Sequence, residues 1–220
     1  MTLFHALNRG VDKRELFLDE EDYIRFIHDL YVFNDVEEIS PNHRFHTSYM
    51  DNVSPYIRSP LVTIHGWCLM DNHYHLLLSE LVEGGLRLFL RRLNVGYAKY
   101  FNEKYKRIGV LFQGRTKKIP VNDEAHFLYI LHYIHLNPLD LLPGARDWRT
   151  RDGAQIQDMQ EALAYLTTYR WSSYLDYVGT KNFPSLIDPS FFNDALDGYA
   201  ESLQEFLWDR AISQLPYVLE

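Results

Sequence analysis

Short apolar runs and amphipathic stretches alternate along the chain, and their two periods divide it into predicted strands and helices. Leu3 to Asn8 reads as a short strand ending at an Arg9-Gly10 turn. The acids Asp19, Glu20, Glu21 and Asp22 open a helix, where their charge suits the positive end of the helix dipole. Tyr23, Phe26, Ile27, Leu30 and Tyr31 then recur at helical spacing until the pattern fades near Asn34. Glu37 to Pro60 is polar and contains proline, a loop longer than a compact domain usually carries without a use for it.

From Leu61 to Met70 the residues are strand formers in a nearly continuous apolar run, and after Asp71-Asn72 the run HYHLLLSE follows at once, so the pair reads as a hairpin. A helix from about Gly85 to Lys106 has Leu86, Phe89, Leu90, Leu93, Tyr97 and Phe101 on one side and basic residues on the other. A strand is expected at Lys117 to Val121. After it comes a helix opened by Asn122-Asp123-Glu124 and closed near Asn137-Pro138, because proline cannot continue it. The order strand, helix, hairpin, helix, strand, helix predicts an α+β fold: an antiparallel ferredoxin-like or RRM-like sheet with helices on one side. That core is expected over residues 1–175. Residues 176–220 read as an acidic helical extension, with a helix from Phe191 to Leu207.

Composition adds bounds. A chain of 220 residues, 46% hydrophobic, holds a core without metal or disulfide, and its single cysteine, Cys68, reads as a small buried hydrophobe in a reducing compartment. No apolar run is long enough for a membrane span, and the first residues lack the apolar core of a signal peptide, so the expected location is the cytoplasm.

The net charge of -8 argues at first against a nucleic-acid partner. Its distribution reverses the inference. Between Arg87 and Lys118 ten basic residues face one acid, Glu103, a net +9, which leaves -17 for the rest. Screening limits an exposed charge to about 10 Å, so a phosphate backbone responds to the local patch and not to the total.

Two constellations carry candidate chemistry. His73 and His75, separated by Tyr74 on a predicted strand, project to one face and can share a metal ion. Tyr129, Tyr133 and Asn137 lie four residues apart and share one helical face. An Asn oxygen is a hard ligand that suits Mg²⁺ or Mn²⁺, and a phenol is a nucleophile only with help from a metal or a base. Spacing alone does not choose between the two tyrosines. It equally admits both as core aromatics, with Asn137 as a residue at the helix end.

The stretches HALNRG (5–10), GWCLMDNHYHLLL (66–78), LNVGYAKYFN (93–102), GVLFQGR (109–115), YIHLNP (133–138) and WSSY (171–174) resemble, in order, the single-tyrosine HUH transposases, the group that includes the REP-associated tyrosine transposases of bacteria. The resemblance implies that His73 and His75 form the HUH pair, that Tyr133 and not Tyr129 is the nucleophile, and that Asn137 is the third ligand of Mg²⁺ or Mn²⁺. It further implies cutting and rejoining of single-stranded DNA that carries a hairpin, through a 5′-phosphotyrosine, with a monomer favoured over a dimer. Asp71, Phe112 and Thr116 depart from the family's pattern, and none is a proposed ligand or nucleophile. Arg91, Arg92, Lys99, Lys106, Arg107, Arg115, Lys117 and Lys118 are expected on phosphates, with Tyr97, Tyr100 or Phe112 stacking on unpaired bases. The rival readings are a non-catalytic RRM-like single-strand binder and a water-activating metallohydrolase.

Overall fold

The computed structural model describes residues 2–37, 58–122, 124–145, 148, 156, 158–196 and 198–208. The loop expected at Glu37 to Pro60 falls largely outside them. Strand β1 (Leu3–Arg9) leads to α1 (Glu20–Val32), then to the hairpin β2 (Val62–Met70) and β3 (His73–Glu80), α2 (Gly85–Lys104), β4 (Lys117–Val121) and α3 (Glu124–Leu136). The 3-10 turn Asn137–Leu141 continues α3, and α4 (Met159–Thr168), α5 (Tyr174–Tyr177), α6 (Ser190–Ala195) and α7 (Tyr199–Trp208) follow.

Local chemistry sets these boundaries. The Asp19 carboxylate accepts from the Asp22 amide and caps α1. At the other end Asn34 donates to the Val62 carbonyl at 2.8 Å and accepts from the Leu61 and Val62 amides, tying α1 to the start of β2. Glu80 accepts from the Gly84 and Leu86 amides and so covers two of the donors that open α2.

The four strands form one antiparallel sheet in the order β2-β3-β1-β4. This is the expected α+β arrangement, with one change: the helices occupy both sides of the sheet. On one face α1 and α2 bury Phe26, Ile27, Phe89, Leu93 and Tyr97 against Trp67, Tyr74, Leu76 and Leu78. On the other, α3 buries Ile130, Tyr133, Ile134 and Leu136 against Leu3, Cys68, Met70 and Leu77. The near-continuous apolar character of β2 and β3 follows from this double covering. Each large side chain sealed in these layers contributes about 1.5–3 kcal/mol.

The outer edge of β2 is also covered. Leu69 donates to the Trp171 carbonyl, Ser173 donates to that of Trp67, and Asp188 donates to that of Ile64. The WSSY segment thus closes an edge that would otherwise template pairing with another chain. The helix expected from Phe191 to Leu207 is broken in two by Gly198, whose φ of 73° is left-handed. Both pieces contribute to the α3 layer through Phe192, Leu196, Tyr199 and Leu203.

Candidate active site

Alternation along β3 sends Tyr74 into one layer and His73 and His75 into the other. Tyr74 points into the α1 and α2 layer, where its hydroxyl donates to Asn94 Oδ1 at 2.8 Å and lies 3.3 Å from Thr116 Oγ1. Asn94 also donates to Thr116 Oγ1 at 2.6 Å, so one threonine hydroxyl joins β3, α2 and the start of β4. Burial pushes the Tyr74 phenol up to about 12, which keeps it a neutral donor.

His73 and His75 point to the opposite face, their rings 4.9 Å apart and nearly perpendicular. His73 Nδ1 lies 2.6 Å from Asn72 Oδ1, and an amide oxygen can only accept, so Nδ1 is the donor. His75 Nδ1 lies 2.8 Å from Nε2 of His5 on β1, and the two rings stack at 5.1 Å. His5 is fully buried. Burial first, and the nearby His126 second, lower its pKa to about 3, so it is neutral.

Tyr133 completes the cluster from α3. Its ring lies 5.8 Å from that of His75 and 6.0 Å from that of His5, edge-on to both. Tyr129 stacks one turn back, 5.5 Å from Tyr133 and 5.1 Å from Phe206. Asn137 follows one turn on, and its Nδ2 donates to the Tyr133 carbonyl at 2.7 Å. The 3-10 turn that holds Asn137 packs on β2, whose Cys68 and Met70 are the register partners of His75 and His73.

A polar network behind α3 fixes its position. His135 Nε2 lies 2.7 Å from Ser173 Oγ, which accepts from the Trp67 amide at 2.9 Å, and His135 Nδ1 lies 2.6 Å from the Tyr199 hydroxyl. A Cβ at Gly66 would come within 2.5 Å of Leu131, so glycine there allows α3 to approach the sheet closely. The sequence reading missed these partners. Their signals were the His135 of YIHLNP and the Ser173 of WSSY, polar residues inside apolar stretches.

The donor set suits a hard divalent ion. In ligand type, two imidazoles and one amide oxygen are a sparse set of the kind an ion keeping several water or phosphate oxygens accepts. Among the described residues no three His, Cys, Asp or Glu side chains are placed to hold a metal ion.

The basic residues divide by location. Arg91, Arg92 and Lys99 ride on α2, separated from the histidines by the sheet, and Arg92 donates to the Asp35 carbonyl at 2.5 Å. Lys104 is held by Asp19, Asp22 and Glu21 within 3.0 Å. Lys117 shares the histidine face: Leu7 pairs with Lys117 on one side and with His75 on the other, two strand spacings or about 10 Å in all. Arg9, opposite His73, is on that face too and was not singled out from sequence. Lys118 faces the other way, beside Ala6. Lys106, Arg107 and Arg115 lie in the loop between α2 and β4, at the His73 end of the sheet. Tyr97 corrects an expectation: it is fully buried, donates to the Leu16 carbonyl at 2.5 Å and offers no face to a base. Phe112 is buried as well, and the Tyr100 hydroxyl donates to Asp22.

No protein-family model matches the chain, and no curated protein does. Among solved structures, that of a REP-associated tyrosine transposase bound to a REP hairpin aligns with a TM-score of 0.46 and 12% identity, covering 83% of this chain and 82% of that one. No helix among the described residues is long and apolar enough to cross a membrane.

Proposed function

We propose that the chain is a metal-dependent transposase-like enzyme that nicks and rejoins single-stranded DNA through Tyr133. The observation that carries this reading is the meeting of Tyr133 with His75 and His5, at 5.8 and 6.0 Å between rings, in one buried cluster built from β1, β3 and α3. His73, His75 and Asn137 hold Mg²⁺ or Mn²⁺ in this reading. The ion supplies Lewis-acid polarisation of a scissile phosphate and fixes its orientation.

The rest is done by the chain. His5 Nε2 accepts the proton of His75 Nδ1 and so keeps the lone pair of His75 on Nε2, the nitrogen that ligates. The Tyr133 oxygen attacks phosphorus, the bond to O3′ breaks, the phenolic proton passes to water, and water returns a proton to the departing oxygen, which leaves as a 3′-hydroxyl. A phosphotyrosine keeps the diester's energy, so a second 3′-hydroxyl reverses the step on another strand without ATP. Tyr129 and Trp148, 5.5 and 5.9 Å from Tyr133, cover the phenol, which is 3% exposed, and an incoming strand displaces that cover. Lys117 and Arg9 flank the site and take backbone phosphates. Tyrosine and histidines belong to one chain, so a monomer is sufficient.

The RRM-like reading needs an open sheet face for bases, and helices cover both faces of this sheet. The test is incubation with single-stranded and hairpin oligonucleotides, with and without Mn²⁺. A metal-dependent adduct that survives denaturation supports the proposal. Cleavage that leaves no protein on the DNA would favour a water-activating hydrolase, and tight binding without cleavage a binding module.

A further inference from the structure

We propose that the loop between α2 and β4 is a wedge that parts a base step where paired nucleic acid opens into single strand. The inference rests on the functional reading above for its ligand class, and on the loop itself for everything else. Ile108 and Val110 are 99% and 71% exposed, the two most exposed large apolar side chains among the described residues. They flank Gly109, whose φ of 99° turns the chain back at the tip.

The tip is rigidly held. Asn102 donates to the Gly109 carbonyl at 2.9 Å and accepts from Arg107 Nη1 at 2.8 Å, while the Arg107 amide donates to the Asn102 carbonyl. Behind the tip, Leu111 and Phe112 are buried, Val11 donates to the Leu111 carbonyl, and Gln113 donates to that of Arg9. Two apolar side chains are thus projected into water from a braced loop, at a cost that only a partner recovers.

Charge identifies the partner. Lys106 and Arg115 are exposed on either side of the tip. Arg107 and Arg14 sit close together: burial, and then the Arg14 charge, lower the Arg107 pKa. Apolar tips flanked by cations are the means by which proteins enter a base step while holding the phosphates on both sides. The place is also right. Arg9, whose carbonyl anchors the loop, is the register partner of His73, so the tip stands at the candidate active-site end of the sheet. A strand parted there has its unpaired portion beside His73.

The test uses the full chain and a DNA hairpin with a single-stranded 5′ extension, carrying 2-aminopurine at the junction. Wild type should brighten the probe and bind the hairpin about 10-fold more tightly than the extension alone, the scale of one stacked base. The double variant Ile108→Ser, Val110→Ser, checked for an unchanged melting temperature, should lose both the brightening and the preference. A variant that keeps both overturns the wedge. Wild type that binds DNA without brightening the probe removes the wedge and leaves the functional reading standing, whereas failure to bind any DNA removes both. Binding to phosphatidylserine vesicles that the double variant loses, with DNA binding unchanged, would assign the tip to lipid.

Discussion

On one face of the sheet, Tyr74, Leu76 and Leu78 meet α1 and α2 in a layer whose polar groups are tied to one another; on the other, His73, His75 and His5 meet α3. Both are buried, yet they are built differently. The Tyr74 hydroxyl has Asn94 and Thr116 in reach, and the Lys104 ammonium at the rim is enclosed by three carboxylates. The histidine face gathers three buried imidazoles around a phenol, with His5 held neutral by burial, and register places Arg9 and Lys117 as the cations on that face. If one face carries stability and the other the proposed chemistry, substitutions one residue apart on β3 should have opposite consequences.

The largest effect expected is on chemistry alone. Tyr133→Phe should abolish the DNA adduct while changing unfolding free energy by no more than about 1 kcal/mol, the worth of one hydrogen bond. Tyr74→Ala should do the reverse, costing about 3–5 kcal/mol in denaturant unfolding because it empties a fully buried aromatic site. If Tyr74→Phe, which keeps the ring, costs more than about 3 kcal/mol, the hydroxyl network matters more than the packing.

Charge reversal separates the two faces next. Lys117→Glu should weaken DNA binding and reduce the salt slope by about one, whereas Arg91→Glu, behind the sheet, should leave that slope nearly unchanged. Equal effects in a salt titration would mean that DNA follows α2 instead. The smallest effect is on pH. Burial lowers the pKa of His65 to about 4 and that of His135 well below its usual value, so both are neutral when folded and take up protons when unfolded. Stability should therefore be full above pH 6.5 and fall as pH drops below it, each imidazole adding about 1.4 kcal/mol per pH unit. For His65 the fall ends near pH 4. A flat profile from pH 6.5 to 4.5 would show that these histidines are protonated in the fold.

Much of this was legible in the sequence, because period-two alternation fixed the faces of β3 and period-3.6 spacing put Tyr133 and Asn137 on one side of α3. What alternation could not show is which layer covers each face. The basic residues of α2 were expected on the phosphates of the bound strand, yet the sheet lies between them and the histidines. Tyr97 illustrates the same limit: its place on the Leu93 and Phe101 stripe already pointed inward, and its aromatic character suggested a use on the surface. His5 escaped because its partner is 70 residues away, a contact that exists only once β1 pairs with β3. The acidic C-terminal segment was read from its charge, but Phe192, Tyr199 and Leu203 decide its place against α3.

The most direct test of the central claim is to isolate the adduct formed with a single-stranded oligonucleotide and Mn²⁺, digest it, and locate the modified residue by mass spectrometry. The account predicts a single nucleotide-bearing peptide modified at Tyr133, absent from Tyr133→Phe and suppressed by His75→Ala. Modification at Tyr129, or an adduct that persists in Tyr133→Phe, would contradict it.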